Sequence, residues 1–209
     1  MKNKVELIGY YGGDESHALS AWTSTSRDLD TDKRQRMDKL LSMLAREGHH
    51  TPFEKSSLHF LVSTDIASHI HIIKHRVGVS VNAESARYKE LKEDNYFLPE
   101  DFPKHWKEKL QKHTEDSLKL YHDCIHSLTE NYGFDRKRAK ESARFFRSYN
   151  TQITADVMFN FRSFAHFLGL RNKPNAQKEI REVSQSMLQL VQDIEGNPFK
   201  LSLQGFNIL

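Results

Sequence analysis

The stretch Ser57-Leu58-His59-Phe60-Leu61-Val62-Ser63-Thr64-Asp65-Ile66-Ala67-Ser68-His69-Ile70-His71-Ile72-Ile73-Lys74-His75 changes its period midway. Leu58, Phe60 and Val62 share one face of an extended chain, which predicts a strand over 57–63. From Ile66 onward, Ile66, Ile70 and Ile73 recur at helical spacing and predict a helix over 66–75. A strand that leads into a helix points to a mixed α+β fold. Working outward, 4–11 reads as a short strand ending at the Gly12-Gly13 break. Helices are expected over 16–26 and 31–47, the second carrying Met37, Leu40, Leu41 and Leu44 and stopping at Gly48. Another strand is expected around 87–91. Pro99 and Pro103 mark a surface loop before a long helix over 103–131, with the apolar line Trp106, Leu110, Leu118, Tyr121, Ile125 and Leu128. Further helices are expected over 135–148, 154–170 and 175–193. No repeat, low-complexity tract or flexible linker interrupts the chain. The expected architecture is a single α+β domain over 1–209, helices packed around a small, mainly antiparallel sheet.

Composition narrows the function. A chain of 209 residues is long enough for a real core. The single cysteine, Cys124, excludes a disulfide framework and any cysteine-rich zinc module. It lies in a helical stretch and reads as a small apolar residue, with nothing near it in sequence to lower its pKa. No apolar run suits a signal peptide or a membrane span, so the expected location is the cytoplasm, bacterial or virus-encoded in a host cell. A net charge of +3 is small for a nucleic-acid binder, although local positive fields can attract anionic small molecules. Gly12-Gly13 and Gly78 belong to no phosphate-binding glycine loop, and there is no Gly-x-Ser-x-Gly elbow. His71 and His75 stand four apart with no third ligand indicated, and no metal is expected.

Three segments carry the chemistry. Lys74-His75-Arg76 is followed by Asn82, Glu84, Ser85, Ala86 and Arg87, with few large apolar residues between. Such a segment gains little from burial and suits a phosphorylated polar ligand, for which Arg offers a bidentate fork. It also suits a solvated loop. Upstream, Gly48-His49-His50-Thr51-Pro52-Phe53-Glu54 has the residue types of a capping-box helix start. Downstream, Asn160-Phe161-Arg162-Ser163-Phe164-Ala165-His166-Phe167-Leu168-Gly169-Leu170-Arg171 precedes Asn175-Ala176-Gln177-Lys178-Glu179-Ile180-Arg181. Phe159, Phe167, Leu168 and Leu170 anchor this helix and leave its polar residues at fixed geometry. On local grounds alone, Arg162 and Arg171 would pair with Glu179 or Glu182.

Taken together and in this order, the segments resemble the flavin-dependent thymidylate synthases. The first resembles their Arg-His-Arg, seven residues, Ser-x-Arg-Tyr signature, with Lys74 for the first Arg and eight residues between Arg76 and Ser85. The second resembles His-x-Thr-Pro-Phe-Glu-His, with Lys55 for the last His. The third resembles Asn-x-Arg-Ser, then Phe-Leu-x-Leu-Arg, then Ala-Gln-x-Glu-Ile-Arg. The resemblance implies an α+β homotetramer with sites shared between subunits. It implies reductive methylation of dUMP to dTMP, with FAD, NADPH and methylenetetrahydrofolate. Thr51, Lys74, His75, Arg76, Asn160, Arg162 and His166 would contact FAD. His71, Lys74, Glu84, Ser85, Ala86, Arg87, Arg144 and Arg171 would surround dUMP, with Arg171 catalytic at the uracil edge. His71 replaces the usual glutamine, His166 stands where relatives carry Asn, and Gly78 is the natural place to absorb the additional loop residue. The loop acid aligns ambiguously: Ala83 by distance from Ser85, Glu84 as the nearest acid. Two other readings stay open: a flavoprotein of this fold acting on another pyrimidine nucleotide, and a nucleic-acid-binding module using 74–87 and Arg136-Lys137-Arg138.

Overall fold

The computed structural model of the protein describes residues 2–25, 30–85, 90 and 94–208. In chain order the elements are β1 (Lys4–Tyr11), α1 (Asp14–Trp22), α2 (Thr31–Arg34), α3 (Met37–Arg46), a 3-10 turn (Thr51–Glu54), β2 (Ser57–Asp65), α4 (Ile66–Ile73) and β3 (Val79–Ala83). There follow α5 (Lys104–Glu130), α6 (Arg136–Ala143), a second 3-10 turn (Arg144–Phe146), β4 (Gln152–Phe159), α7 (Phe161–Arg171), α8 (Lys178–Gln192) and α9 (Lys200–Gly205). The described strands form an antiparallel sheet in the order β1-β2-β4-β3, so the α+β class holds. β2 buries Leu58, Phe60 and Val62 completely, as the alternation requires. No helix among the described residues is long and apolar enough to cross a membrane.

Several expectations are corrected. The helix over 154–170 is a strand followed by a shorter helix. In β4, Ala155, Val157 and Phe159 are buried at a period of two, and Asn160 ends the strand by capping α7, its side chain accepting from Ser163 N. Leu170, expected as an anchor, is 44% exposed. The helix over 31–47 is interrupted at Gln35 and Arg36. Thr51–Glu54 is a 3-10 turn without a side-chain cap, Pro52 fitting its start, and no capping box forms. β3 and α9 were not anticipated, and the strand expected at 87–91 lies, apart from Glu90, outside the described residues. Trp106, at the head of the α5 line, is exposed, whereas Leu118, Tyr121 and Ile125 are buried.

The chain divides into two compact units. One comprises Met1–Asn3, Ser63–Ile70 and Ala83–Ala155. In it α5 packs against α6 and the second 3-10 turn, and half-buried Cys124 lies against Tyr121, Ile125 and Ala143. The other comprises Lys4–Val62, His71–Asn82 and Asp156–Leu209. There α3 packs against α9 and α1, α8 against β1, and α7 against α8 and the first 3-10 turn. Its core is largely rings: Phe60, Phe159, Phe164 and Phe167 form one group, and Phe53, Phe161, Phe199 and His17 another. Phe161 and Phe199 stack at 5.6 Å and 3°. Truncating such a fully buried ring to Ala typically costs about 3–5 kcal/mol.

Candidate active site

Within the second unit lies a cleft of about 640 Å³. Its walls include Lys74, His75 and Arg76 from the chain after α4, Arg162, Ser163, His166 and Arg171 from α7, and the rings of His50 and Phe206. Local rules explain how the first two groups meet. α4 stops at Ile73, and the chain turns toward β3 at Gly78, where φ is +64°. That turn is stitched to the head of α7. Asn160 N donates to Gly78 O at 2.9 Å, and Ser163 Oγ donates to Val77 O at 2.5 Å. A Cβ on Gly78 would lie 2.2 Å from Asn160 Nδ2 and 2.5 Å from Ser163 Oγ, so only glycine fits there. Buried Phe164, Phe167 and Leu168 root α7 in the core, leaving Arg162 and His166 exposed on the cleft side.

The electrostatics are dominated by cations. Arg162 Nη1 pairs with Glu54 Oε1 at 2.5 Å. Arg171 Nε donates to His75 Nε2 at 3.2 Å, so that ring nitrogen carries a lone pair and His75 is neutral. Burial lowers the His75 pKa to about 4, and the charges of Arg171, His166 and His71 act in the same direction. The ring also meets His166 and Phe167 edge-on, at 5.7 and 5.1 Å. Lys74 and Arg76 are exposed and pair with no described residue. Lys74, Arg76, Arg162 and Arg171, with only Glu54 paired against them among the described residues, favour an anionic ligand.

The other expected residues are placed as follows. Thr51 is exposed at the start of its 3-10 turn, and Asn160 uses Oδ1 for the cap on Ser163 N at 2.8 Å. His71 lies on α4 and donates from Nε2 to Gln177 Oε1 at 3.2 Å. His75 lies beyond the end of that helix. Glu84, Ser85 and Arg144 belong to the first unit. Glu84 exchanges two bonds with the backbone of Thr154, its N donating to the carbonyl and its Oε2 accepting from N, at 2.9 and 2.8 Å. Arg144 is exposed, with its guanidinium 5.8 Å from the Phe145 ring. Ala86 and Arg87 lie outside the described residues. Sequence reasoning missed His50 and Phe206. His50 sits beside the motif histidine His49 and donates to Ala45 O at 3.2 Å. Phe206 follows no motif at all.

Comparison with known proteins gives a consistent picture. Residues 6–195 match the family model described as thymidylate synthase complementing protein. A flavin-dependent thymidylate synthase of Pseudothermotoga lettingae is 30% identical over 197 residues, spanning 91% of this chain and 85% of its own. One from Streptomyces avermitilis is 30% identical over 206 residues, spanning 88% and 83%. A UMP/dUMP methylase, PolB of Streptomyces cacaoi, solved with 5-Br dUMP, shares the fold with a TM-score of 0.80 at 23% identity, covering 100% of this chain and 96% of that one. The matched span begins within β1, ends just past α8 and contains every candidate residue named from the motifs, and so the chain belongs to the thymidylate synthase complementing protein family, that of the flavin-dependent thymidylate synthases.

Proposed function

We propose that the protein converts dUMP to dTMP by reductive methylation, with FAD as cofactor, methylenetetrahydrofolate as carbon donor and NADPH as reductant. The observation that supports this most directly is the convergence of Lys74, His75, Arg76, Arg162, His166 and Arg171 on one cleft in a chain of this family. The residues fit FAD. Its diphosphate needs cations, which Lys74, Arg76 and Arg162 supply. Bound and reduced by NADPH, FAD would supply the hydride that completes the methyl group. The family pattern adds Thr51, His75, Asn160 and His166 as further contacts to FAD.

Arg171 acts on the substrate. With Nε held by His75, its two terminal nitrogens remain to grip the uracil edge. A fixed guanidinium there would stabilise the negative charge that develops on the uracil as hydride adds at C6, and so lower the barrier to that addition. His75 is a positioning residue for Arg171: as a neutral acceptor it orients the guanidinium without opposing its charge. Lys74 reaches the nucleotide as well as the cofactor. The family pattern further assigns His71, Glu84, Ser85, Ala86, Arg87 and Arg144 to dUMP. A cytoplasmic homotetramer with sites lined by several subunits completes the reading.

The test is tritium release from dUMP labelled at carbon 5, with FAD, NADPH and methylenetetrahydrofolate present. Release that needs every component is expected. No release from folded, flavin-bound protein would sink the proposal. Turnover of UMP in place of dUMP would favour a flavoprotein acting on another pyrimidine nucleotide, the reading that His71 and Lys74 motivate.

A further inference from the structure

The family-matched span ends at residue 195, yet α9 and the residue after it bring one more side chain, Phe206, to the cleft. The helix is held at both ends. At its start, Asp14 Oδ2 accepts from Leu201 N at 2.8 Å, and Asp14 Oδ1 accepts from Ser202 N at 2.9 Å and Ser202 Oγ at 2.5 Å. Ser202 Oγ, having donated its proton, accepts from His17 Nδ1 at 2.8 Å, and His17 Nε2 accepts from Ser56 Oγ at 2.8 Å. This chain of four side chains is buried and internally satisfied. At the helix end, Asn207 takes φ +54°, its N bonds Gln204 O at 2.9 Å, and Ile208 N bonds Leu203 O at 3.0 Å. That is a Schellman motif with Phe206 at the C-cap. Gly205 lets the helix seat on α3, since a Cβ there would come within 3.2 Å of Leu41 O. Phe206 is thereby fixed edge-on to Phe53 at 4.9 Å and tilted against His50 at 5.0 Å, half-buried and lining the cleft.

We propose that Phe206, backed by His50, is a specificity-determining residue on which a planar heteroaromatic ring of the ligand stacks, an inference that rests on the function proposed above. The cations in the same cleft require that this ring carry an anionic chain. The rings of FAD and the pterin of a folate share that chemistry, and titration separates them.

The experiment uses the full chain stripped of flavin and titrated separately with FAD and with folate, for the wild type, Phe206→Leu and Phe206→Tyr. Leucine keeps an apolar side chain but not a flat ring. Phe206→Leu is expected to bind one of the two about tenfold or more weakly. Phe206→Tyr keeps wild-type affinity, and melting temperatures stay close. The ligand that loses affinity is the one that stacks. A Phe206→Leu protein that melts normally and binds both ligands like the wild type overturns the inference. If that variant does not fold, Phe206→Trp decides, because its indole emission is quenched by a stacked ring beyond any quenching of Trp22 and Trp106. No added quenching overturns the inference. A wild type that binds neither ligand overturns the proposed function and this inference with it. A wild type that makes dTMP while Phe206→Leu binds normally overturns this inference alone.

Discussion

Arg171 gives its Nε–H to a lone pair on His75, and the contact persists only while that nitrogen is unprotonated. The pair shows what residue spacing can and cannot say. Motif spacing singled out Arg162 and Arg171, and the partners expected for them on local grounds, Glu179 and Glu182, are not the ones used. Arg162 pairs with Glu54 and Arg171 with His75, each brought from a distant element by the fold. Arg171→Ala is expected to abolish dTMP formation while flavin absorbance after purification stays at wild-type level. Arg171→Lys keeps the charge but cannot hold His75 and a uracil edge together, so its kcat should fall by about a hundredfold or more. Steady-state assays on both variants check this. Full activity in Arg171→Ala would remove this residue from the mechanism.

At the scale of elements, the joint between the chain after α4 and the head of α7 sets the cleft. Gly78→Ala meets both a positive φ and the Asn160 side chain, and is expected to cost about 1–3 kcal/mol. Asn160→Ala removes the cap on α7 and is expected to cost about 0.5–2 kcal/mol. Urea unfolding measures both, and each variant should also bind FAD more weakly, because the same joint carries Lys74, His75 and Arg76. Wild-type stability in Gly78→Ala would mean that the turn relaxes freely. Much of the architecture was legible in sequence: β1, β2 and α5 lie where alternation, helical spacing and Pro103 put them. β4 was misread because Ala155, Val157 and Phe159 sit in a short apolar run that helix and strand periods fit alike. β3 hid in a polar segment, and α9 followed no family pattern. His50 and Phe206 could not be found from motifs, since packing of the 3-10 turn and α9 alone brings them to the cleft.

For the molecule as a whole, acid is the natural stress. Burial lowers the pKa of His17 to about 3 and that of His75 to about 4, and it lowers that of His69 as well. In the unfolded chain all three titrate near the ordinary histidine value of about 6.5. Between these limits the unfolded state binds more protons than the folded one, so stability is full above about pH 6.5 and falls as pH is lowered toward 4. Asp14, whose pKa burial raises, binds its proton more readily when folded and acts in the opposite sense. With three histidines the slope reaches at most about 4 kcal/mol per pH unit. Urea midpoints measured across that window check the sign. Midpoints that hold steady would show that the buried imidazoles do not outweigh the opposing contribution of Asp14.

The bonds from Asp14 to Leu201 and Ser202 also bear on how the protein is made. During translation, α1 leaves the ribosome long before its partners exist, and the Asp14 carboxylate and His17 imidazole must wait in water until Ser202, 188 residues after Asp14, has been made. A chain released at residue 195 would contain every position matched by the family and still lack the donors that close this network. Such a product is expected to be cleared by proteases, so the segment that carries Leu201 and Ser202 serves as a checkpoint on how far synthesis has run.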